Sequence, residues 1–288
     1  MTIPVGIEAA PAPVGPSRRR LGSAWLILLL AVAYFVIPLA ASFFYTVDNR
    51  ATGSLDLGAY AKIPASTGFA DALRRSLTLA VLTVVGALAV TLPAMLVVTL
   101  RWPRLRPVIE GLSLIPLVIP PIALVVGVRD VLSLGPNQLA GTPLGDALVS
   151  SQDLDLPWVL VVVYIVLALP FVYRAFDAGL RAIEVRTLVD AARGLGANWL
   201  TVVFRVLLPN LRTAALGASF LTIALVLGEF TIASILSFDT LPTWLVEISG
   251  ENAQESVAVS VASLLFTWLL LLGVSLADRR RRTPRRAS

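Results

Sequence analysis

The sequence predicts an all-α, polytopic membrane protein of six transmembrane helices, and three observations predict it. First, 57% of the 288 residues are hydrophobic against 14% charged, and the mean hydropathy is +0.85. A soluble domain has too little interior to hide that much apolar surface. Second, the apolar residues gather into six runs, about 21–45, 77–100, 108–128, 158–173, 213–238 and 257–276. Most approach the roughly 20 residues that cross a bilayer as helix. Third, the basic residues divide between the two faces. With residues 1–20, the turn 101–106, the loop 174–212 and the tail 278–288 inside, every basic residue except Arg50, Lys62, Arg74, Arg75 and Arg129 is cytoplasmic. The positive-inside rule then puts both termini in the cytoplasm.

Taken in order, residues 1–20 are Pro-rich and polar, end in Arg18-Arg19-Arg20, and are expected to form a disordered cytoplasmic tail. The first apolar run exceeds the roughly 7 to 15 residues of a signal-peptide core, so it reads as a membrane helix; cleavage after Ala40-Ala41-Ser42 is the alternative. Asp48 to Asp71 is polar and turn-rich, an external loop. A short interfacial helix before the second run would let Arg74 and Arg75 snorkel outward. That run closes at Arg101-Trp102-Pro103-Arg104-Leu105-Arg106, a basic turn with an interfacial tryptophan.

Pro116, Pro120 and Pro121 interrupt the third run. Each removes a backbone donor, which is tolerated at membrane depth only where protein or a watery cavity surrounds the break. Pro120 and Pro121 are therefore candidate pathway residues, with simple kink packing as the alternative. Gly135 to Leu156 carries no Lys or Arg and belongs outside, and Trp158 opens a fourth run that closes near Tyr173. Glu229 is the one acidic residue clearly inside an apolar run, in the fifth. Such a charge must face a cavity, a partner or a buried hydrogen-bond donor, so it reads equally as a gate or as a packing residue. Asp239 to Ser256 is an acidic outer loop. Its Asp239, Glu247, Glu251 and Glu255 would attract a cation, dock a binding protein or simply be solvated. The terminal arginines anchor the topology against anionic lipid; no nucleic-acid site is expected.

The chain has no cysteine and no histidine, which excludes disulfides, Cys/His metal sites and a histidine-based triad. Its one lysine, Lys62, lies in Ala-Lys-Ile and not in a P-loop, so no nucleotide cofactor is expected here, and any ATP and Mg must bind a partner. An intramembrane enzyme would lack its usual nucleophiles and bases. An ion-coupled secondary transporter would rest on Glu229 alone.

Between the fourth and fifth runs lies Glu184 to Pro209, EVRTLVDAARGLGANWLTVVFRVLLP. Leu188, Ala191, Ala192 and Leu195 recur at helical spacing and predict one apolar stripe on a helix from Glu184 to Arg193. Gly194 and Gly196 stop that helix, because glycine accepts the left-handed conformation of a helix end. Asn198 is a good N-cap for a second helix, Trp199 to Leu208, which Pro209 bends or ends.

This elbow resembles the EAA loop of bacterial ABC importer permeases, whose pattern is Glu-Ala-Ala, three residues, Gly, nine residues, Ile-x-Leu-Pro. Asp190-Ala191-Ala192, Gly196 and Val206-Leu207-Leu208-Pro209 fit that spacing, with Asp for Glu and Val for Ile. The resemblance implies the type I importer permease fold. It also implies an ATPase-coupling surface of Asp190, Ala191, Ala192, Arg193, Gly196, Asn198 and Pro209. The implied partners are an ABC ATPase dimer, a second and homologous permease chain, and an extracytoplasmic solute-binding protein in the bacterial inner membrane. The Pro-rich third run and the Gly228-Glu229-Phe230 stretch look most like the spermidine/putrescine branch; permeases for iron, sulfate, thiamine and phosphonate are close in pattern.

Overall fold

The computed structural model describes residues 18–49, 54–153 and 155–282. Residues 1–17 of the expected tail 1–20, Arg50 of the outer loop and the last residues, 283–288, lie outside them, whereas Arg18, Arg19 and Arg20 open a helix instead of a disordered tail. The described residues are mostly helical, and they divide into two units, 1–56 and 57–288.

The first unit holds α1 (Arg18–Val47), whose segment Trp25–Val47 is apolar and 23 residues long, about 34 Å at 1.5 Å per residue. Pro38 is tolerated inside it. The helix ends in a two-residue antiparallel ladder, β1 (Asp48–Asn49) with β2 (Ser54–Leu55), in which Asp48 opposes Leu55. Asp56 N–H closes it by donating to the Val47 carbonyl at 2.8 Å.

The second unit is built on α3 (Phe69–Leu100), preceded by the single turn α2 (Gly58–Lys62). α3 starts eight residues before the expected run and absorbs Arg74 and Arg75, so no separate interfacial helix is formed there. The reason is tertiary: the Arg75 guanidinium donates to the Asp239 carbonyl at 2.7 Å, and the Ser76 hydroxyl accepts from Leu241 N–H at 2.7 Å. Both bonds hold the start of this helix against a segment 164 and 165 residues later.

The third run is two helices, α4 (Arg106–Val118) and α5 (Pro121–Asn137), bent by 99°. Pro116 sits inside α4 without ending it. The break is at Ile119 (ψ 122°) and Pro120 (ψ 137°), each forced out of the helical region by the proline that follows it. After α6 (Pro143–Ser150), a helix where a loop was expected, α7 (Trp158–Arg181) runs eight residues beyond Tyr173. It continues because Phe176 and Leu180 are buried in the core and Asp177 is held by Arg106 and Arg181.

The elbow comprises α8 (Val185–Gly194), α9 (Trp199–Thr201), a π-type turn over Val202–Leu207 and α10 (Leu208–Asn210). α11 (Arg212–Gly228) leaves it at a 77° bend. The fifth run does not continue to Phe238: α11 ends at Gly228, and a short α12 (Thr231–Ile235) follows. The acidic outer segment is also more ordered than a loop. Thr240 and Thr243 form a capping box for α13 (Leu241–Glu251), which buries Trp244. α14 (Ala253–Arg282) opens four residues earlier than expected, with the Asn252 side chain accepting from Glu255 N–H at 3.2 Å.

Three apolar clusters lie in sequence along α3. Near its start Ala72 meets Leu241, Trp244 and Val259. In its middle Leu79 and Ala80 meet α5, α7 and α12. Towards its end Leu92, Met95 and Leu96 meet α7, the elbow and α11. At the elbow end α7 and α11 approach closely: a Cβ on Gly179 would lie 2.7 Å from that of Ala214. Of the described helices, Trp25–Val47, Phe69–Leu100 and Trp158–Arg181 are each long and apolar enough to cross a bilayer, and the pairs α4–α5 and α9–α11 are each a bent candidate.

Candidate functional site

The elbow forms because its two halves satisfy different local rules. α8 ends where Gly196 adopts φ 84°, a conformation that costs an L-residue roughly 1–2 kcal/mol. Asn198 then caps the second half, its side chain accepting from Thr201 N–H at 2.8 Å. Arg193 braces the turn from inside: it donates to the Ala197 carbonyl at 3.4 Å and lies 5.8 Å from the Trp199 ring. The helix widens over Val202–Leu207, just before Pro209, whose ring cannot fit against the carbonyl four residues back in a regular helix.

The face that α8 buries is not the expected one. Val185 and Val189 are buried and Ala192 is half-buried, a stripe at i, i+4 and i+7 that packs against Leu180, Val202 and Leu207. Two apolar stripes run side by side on this helix, and the core takes the valines. Of the predicted stripe only Ala192 joins that buried face; Ala191 is exposed, Leu195 is 90% exposed and Leu188 is half-covered. Leu200 and Phe204 on the second half are exposed too. Asp190 and Pro209 are exposed, and Asp190 makes no hydrogen bond or ion pair among the described residues. The arginines at 174, 181, 186, 193, 205 and 212 are all exposed.

Pro120 and Pro121 are distant from the elbow in the chain and sit, exposed, at the α4–α5 break. Glu229 occupies the second break, between α11 and α12. Its carboxylate accepts from the Tyr164 hydroxyl at 3.1 Å, from Ile232 N–H at 2.9 Å and from Ala233 N–H at 3.3 Å. The chain leaves the helix at Glu229 (ψ 112°), and the side chain turns back to cap α12. α5 and α12, the segments that follow the two breaks, pack on each other.

Two positions that tie these elements together escape sequence reading. Tyr164 gives no signal of its own, being one aromatic in an apolar run. Asp177 does: its spacing of four from Arg181 marks an ion pair, seen at 2.8 Å. Its second partner, Arg106, comes from the 101–106 turn and so ties the start of α4 to the elbow end of α7.

Broken apolar helices, an exposed elbow and helices long and apolar enough to cross a bilayer mark a multi-pass membrane protein. The comparison with protein families agrees. Residues 94–283 match the model of the binding-protein-dependent transport system inner membrane component, and the chain belongs to that family. No curated protein matches the sequence. The chain is thus an ABC importer permease of the inner membrane, a transport component that is not itself catalytic. Permeases of this kind work with an ATPase, a binding protein and a second permease.

Proposed function

We propose that the chain is a six-span permease subunit with both termini cytoplasmic, that it forms half of a translocation pathway, and that it receives its drive from an ABC ATPase through the elbow. The observation that carries the coupling role is the exposure of Ala191 and Leu195 on α8 and of Leu200 and Phe204 on the second half, in an elbow whose Arg186, Arg193 and Arg205 are exposed as well. An apolar face on a capped, braced turn, with its own core satisfied by a different stripe, is suited to burial in another protein's groove. ATP and Mg bind that partner; closure of the ATPase dimer moves the elbows, and the bundles rock between inward-open and outward-open states.

The second permease is supported by the α4–α5 break. Ile119 and Pro120 are non-helical backbone with exposed side chains, a state stable at membrane depth only against protein or a watery cavity. A homologous chain would supply that cover, and Pro120, Pro121 and Glu229 would border the shared pathway. The substrate reading, a polyamine such as spermidine or putrescine, rests on likeness to that branch of the family.

Co-purification tests the coupling role. The wild-type chain should bring its ATPase from membranes, and Leu195→Asp or Gly196→Pro should lose it while α3–α7–α11 packing, read by thermal unfolding, is retained. Retention of the ATPase and of ATP-driven transport in both variants would sink the proposal. For the cargo, ATPase activity of the reconstituted complex with its binding protein is measured across polyamines, iron chelates, sulfate, thiamine and phosphonates. A response to another solute with none to putrescine or spermidine removes the polyamine reading.

A further inference from the structure

A charged clamp joins the start of α4 to the end of α7. The Arg106 guanidinium donates to one carboxylate oxygen of Asp177, and Arg181 donates from Nε to the other at 2.8 Å. Both oxygens of this carboxylate are therefore taken, and its side chain is only 18% exposed. The Arg106 bond crosses between helices, whereas the Arg181 bond lies within α7 at i, i+4. Charge-assisted bonds are roughly twice as strong as neutral ones, and partial burial protects this one from screening by salt.

The rest of the α4 contact is slight. α7 is the helix that α4 packs on most. The buried residues of α4 are Ser113 and Pro116, with Ile109 and Arg106 half-buried one and two turns before Ser113. Short side chains such as these interlock little, and in a bilayer apolar contact gives no net hydrophobic drive between helices. Close packing and polar bonds then decide which helices move together. The clamp supplies the fixed point along the axis that the apolar contact lacks.

α4 carries the clamp at one end and a break at the other. It spans 13 residues, about 20 Å at 1.5 Å per residue, and Ile119 and Pro120 follow directly. Asp177 stands one turn before the end of α7, the helix that leads into α8 of the elbow. On the side of α11, Gly179 lets α7 approach so closely that a Cβ there would lie 2.7 Å from that of Ala214. The helices that enter and leave the elbow are thus packed on each other, and Asp177 adds α4 to them.

We propose that Asp177 is a positioning residue that carries movement of the elbow to the α4–α5 break. It fixes α4 to the end of α7, so that α4, the end of α7 and the start of α11 shift as one body against α5. The inference rests on the elbow being where the drive enters. An ion pair that served the fold alone would leave the movement of the break unchanged when it was removed.

Spin-label distances test this in the full complex with its ATPase and binding protein, in lipid nanodiscs, without nucleotide and after trapping with ATP and vanadate. The chain has no cysteine, so labels attach only where cysteine is introduced. Positions 108 and 178 report α4 against α7, and positions 112 and 131 report the break; all four are exposed. With the clamp intact, the first distance should stay fixed on trapping while the second changes. Asp177→Asn should broaden the first and reduce the ATP-driven change in the second about threefold or more, with the ATPase still co-purifying. Arg106→Gln should do the same, and Asp177→Glu should restore most of the change. Arg181→Gln, which loses only the bond within α7, should leave it intact. The proposal fails if Asp177→Asn and Arg106→Gln both keep the full change, or if Arg181→Gln removes as much as Arg106→Gln. It also fails if, with the clamp intact, the 112–131 distance changes no more than the 108–178 distance. Those outcomes leave the elbow reading standing; absence of an ATPase from the wild-type preparation overturns that reading, and this inference with it.

Discussion

The two breaks in the apolar helices of this permease are made by opposite means. At Ile119-Pro120 the interruption is covalent and local: consecutive prolines force the residues before them into extended conformations, and no distant side chain takes part. At Glu229-Phe230 there is no proline and no positive φ. The break is held by a carboxylate that caps the next helix and accepts from Tyr164, 65 residues earlier in the chain. The first break is fixed by its own prolines, whereas the second also draws on Tyr164, which only the folded bundle brings to it. The two also differ in cover. Pro120 and Pro121 are exposed, while Glu229 is half-buried beside the core cluster that holds Tyr164, Val226 and Ile232.

The largest effect should come from breaking the tertiary device. Glu229→Ala leaves two backbone donors and the Tyr164 hydroxyl without their acceptor, a loss of about 3 kcal/mol. Thermal unfolding in detergent should fall accordingly, and hydrogen exchange at Ile232 and Ala233 should accelerate. Unchanged exchange there would mean that Glu229 does not hold α12. Glu229→Gln keeps an acceptor but loses the charge assistance, so its cost should be smaller, about 1–2 kcal/mol, with exchange at the same two amides rising less.

Tyr164→Phe removes one donor and leaves the α12 cap in place, for about 1 kcal/mol. In a double-mutant cycle with Glu229→Ala the two losses should be less than additive by roughly 0.5–1 kcal/mol; strict additivity would deny the Tyr164–Glu229 bond. Smallest of all is Pro121→Ala, because Pro120 still holds Ile119 extended and alanine suits the first helical turn. Stability should change by less than about 0.5 kcal/mol. The spin-label distance between positions 112 and 131, both exposed, should stay that of a 99° bend. A straightened 106–137 helix would show that the local account of this break is wrong.

Much of the elbow is legible in the sequence because it is built from short-range rules. The glycine at positive φ, the Asn198 cap and the turn near Pro209 each depend on residues within a few positions. Periodicity could show that α8 has apolar residues at helical spacing but not which of two adjacent stripes the core would take, since Val185-Val189-Ala192 and Leu188-Ala191-Leu195 are equally good. The outer segment was misread for a related reason. Composition marks 239–256 as acidic, yet burial of Trp244 against Phe69 and the Ser76–Leu241 bond turn most of it into a packed helix.

By itself the sequence determined that this chain lives in a membrane, where its apolar segments lie, where Pro120 and Pro121 interrupt them, and that it holds no histidine or cysteine. Those follow from composition and from interactions between near neighbours. Tertiary structure alone decided where α3 begins and where α7 ends, which face of the elbow is buried, and that Tyr164 reaches Glu229. Each of these depends on a partner tens to hundreds of residues away, and a charge buried in a bundle takes its meaning from the donors that the fold brings to it, or fails to bring.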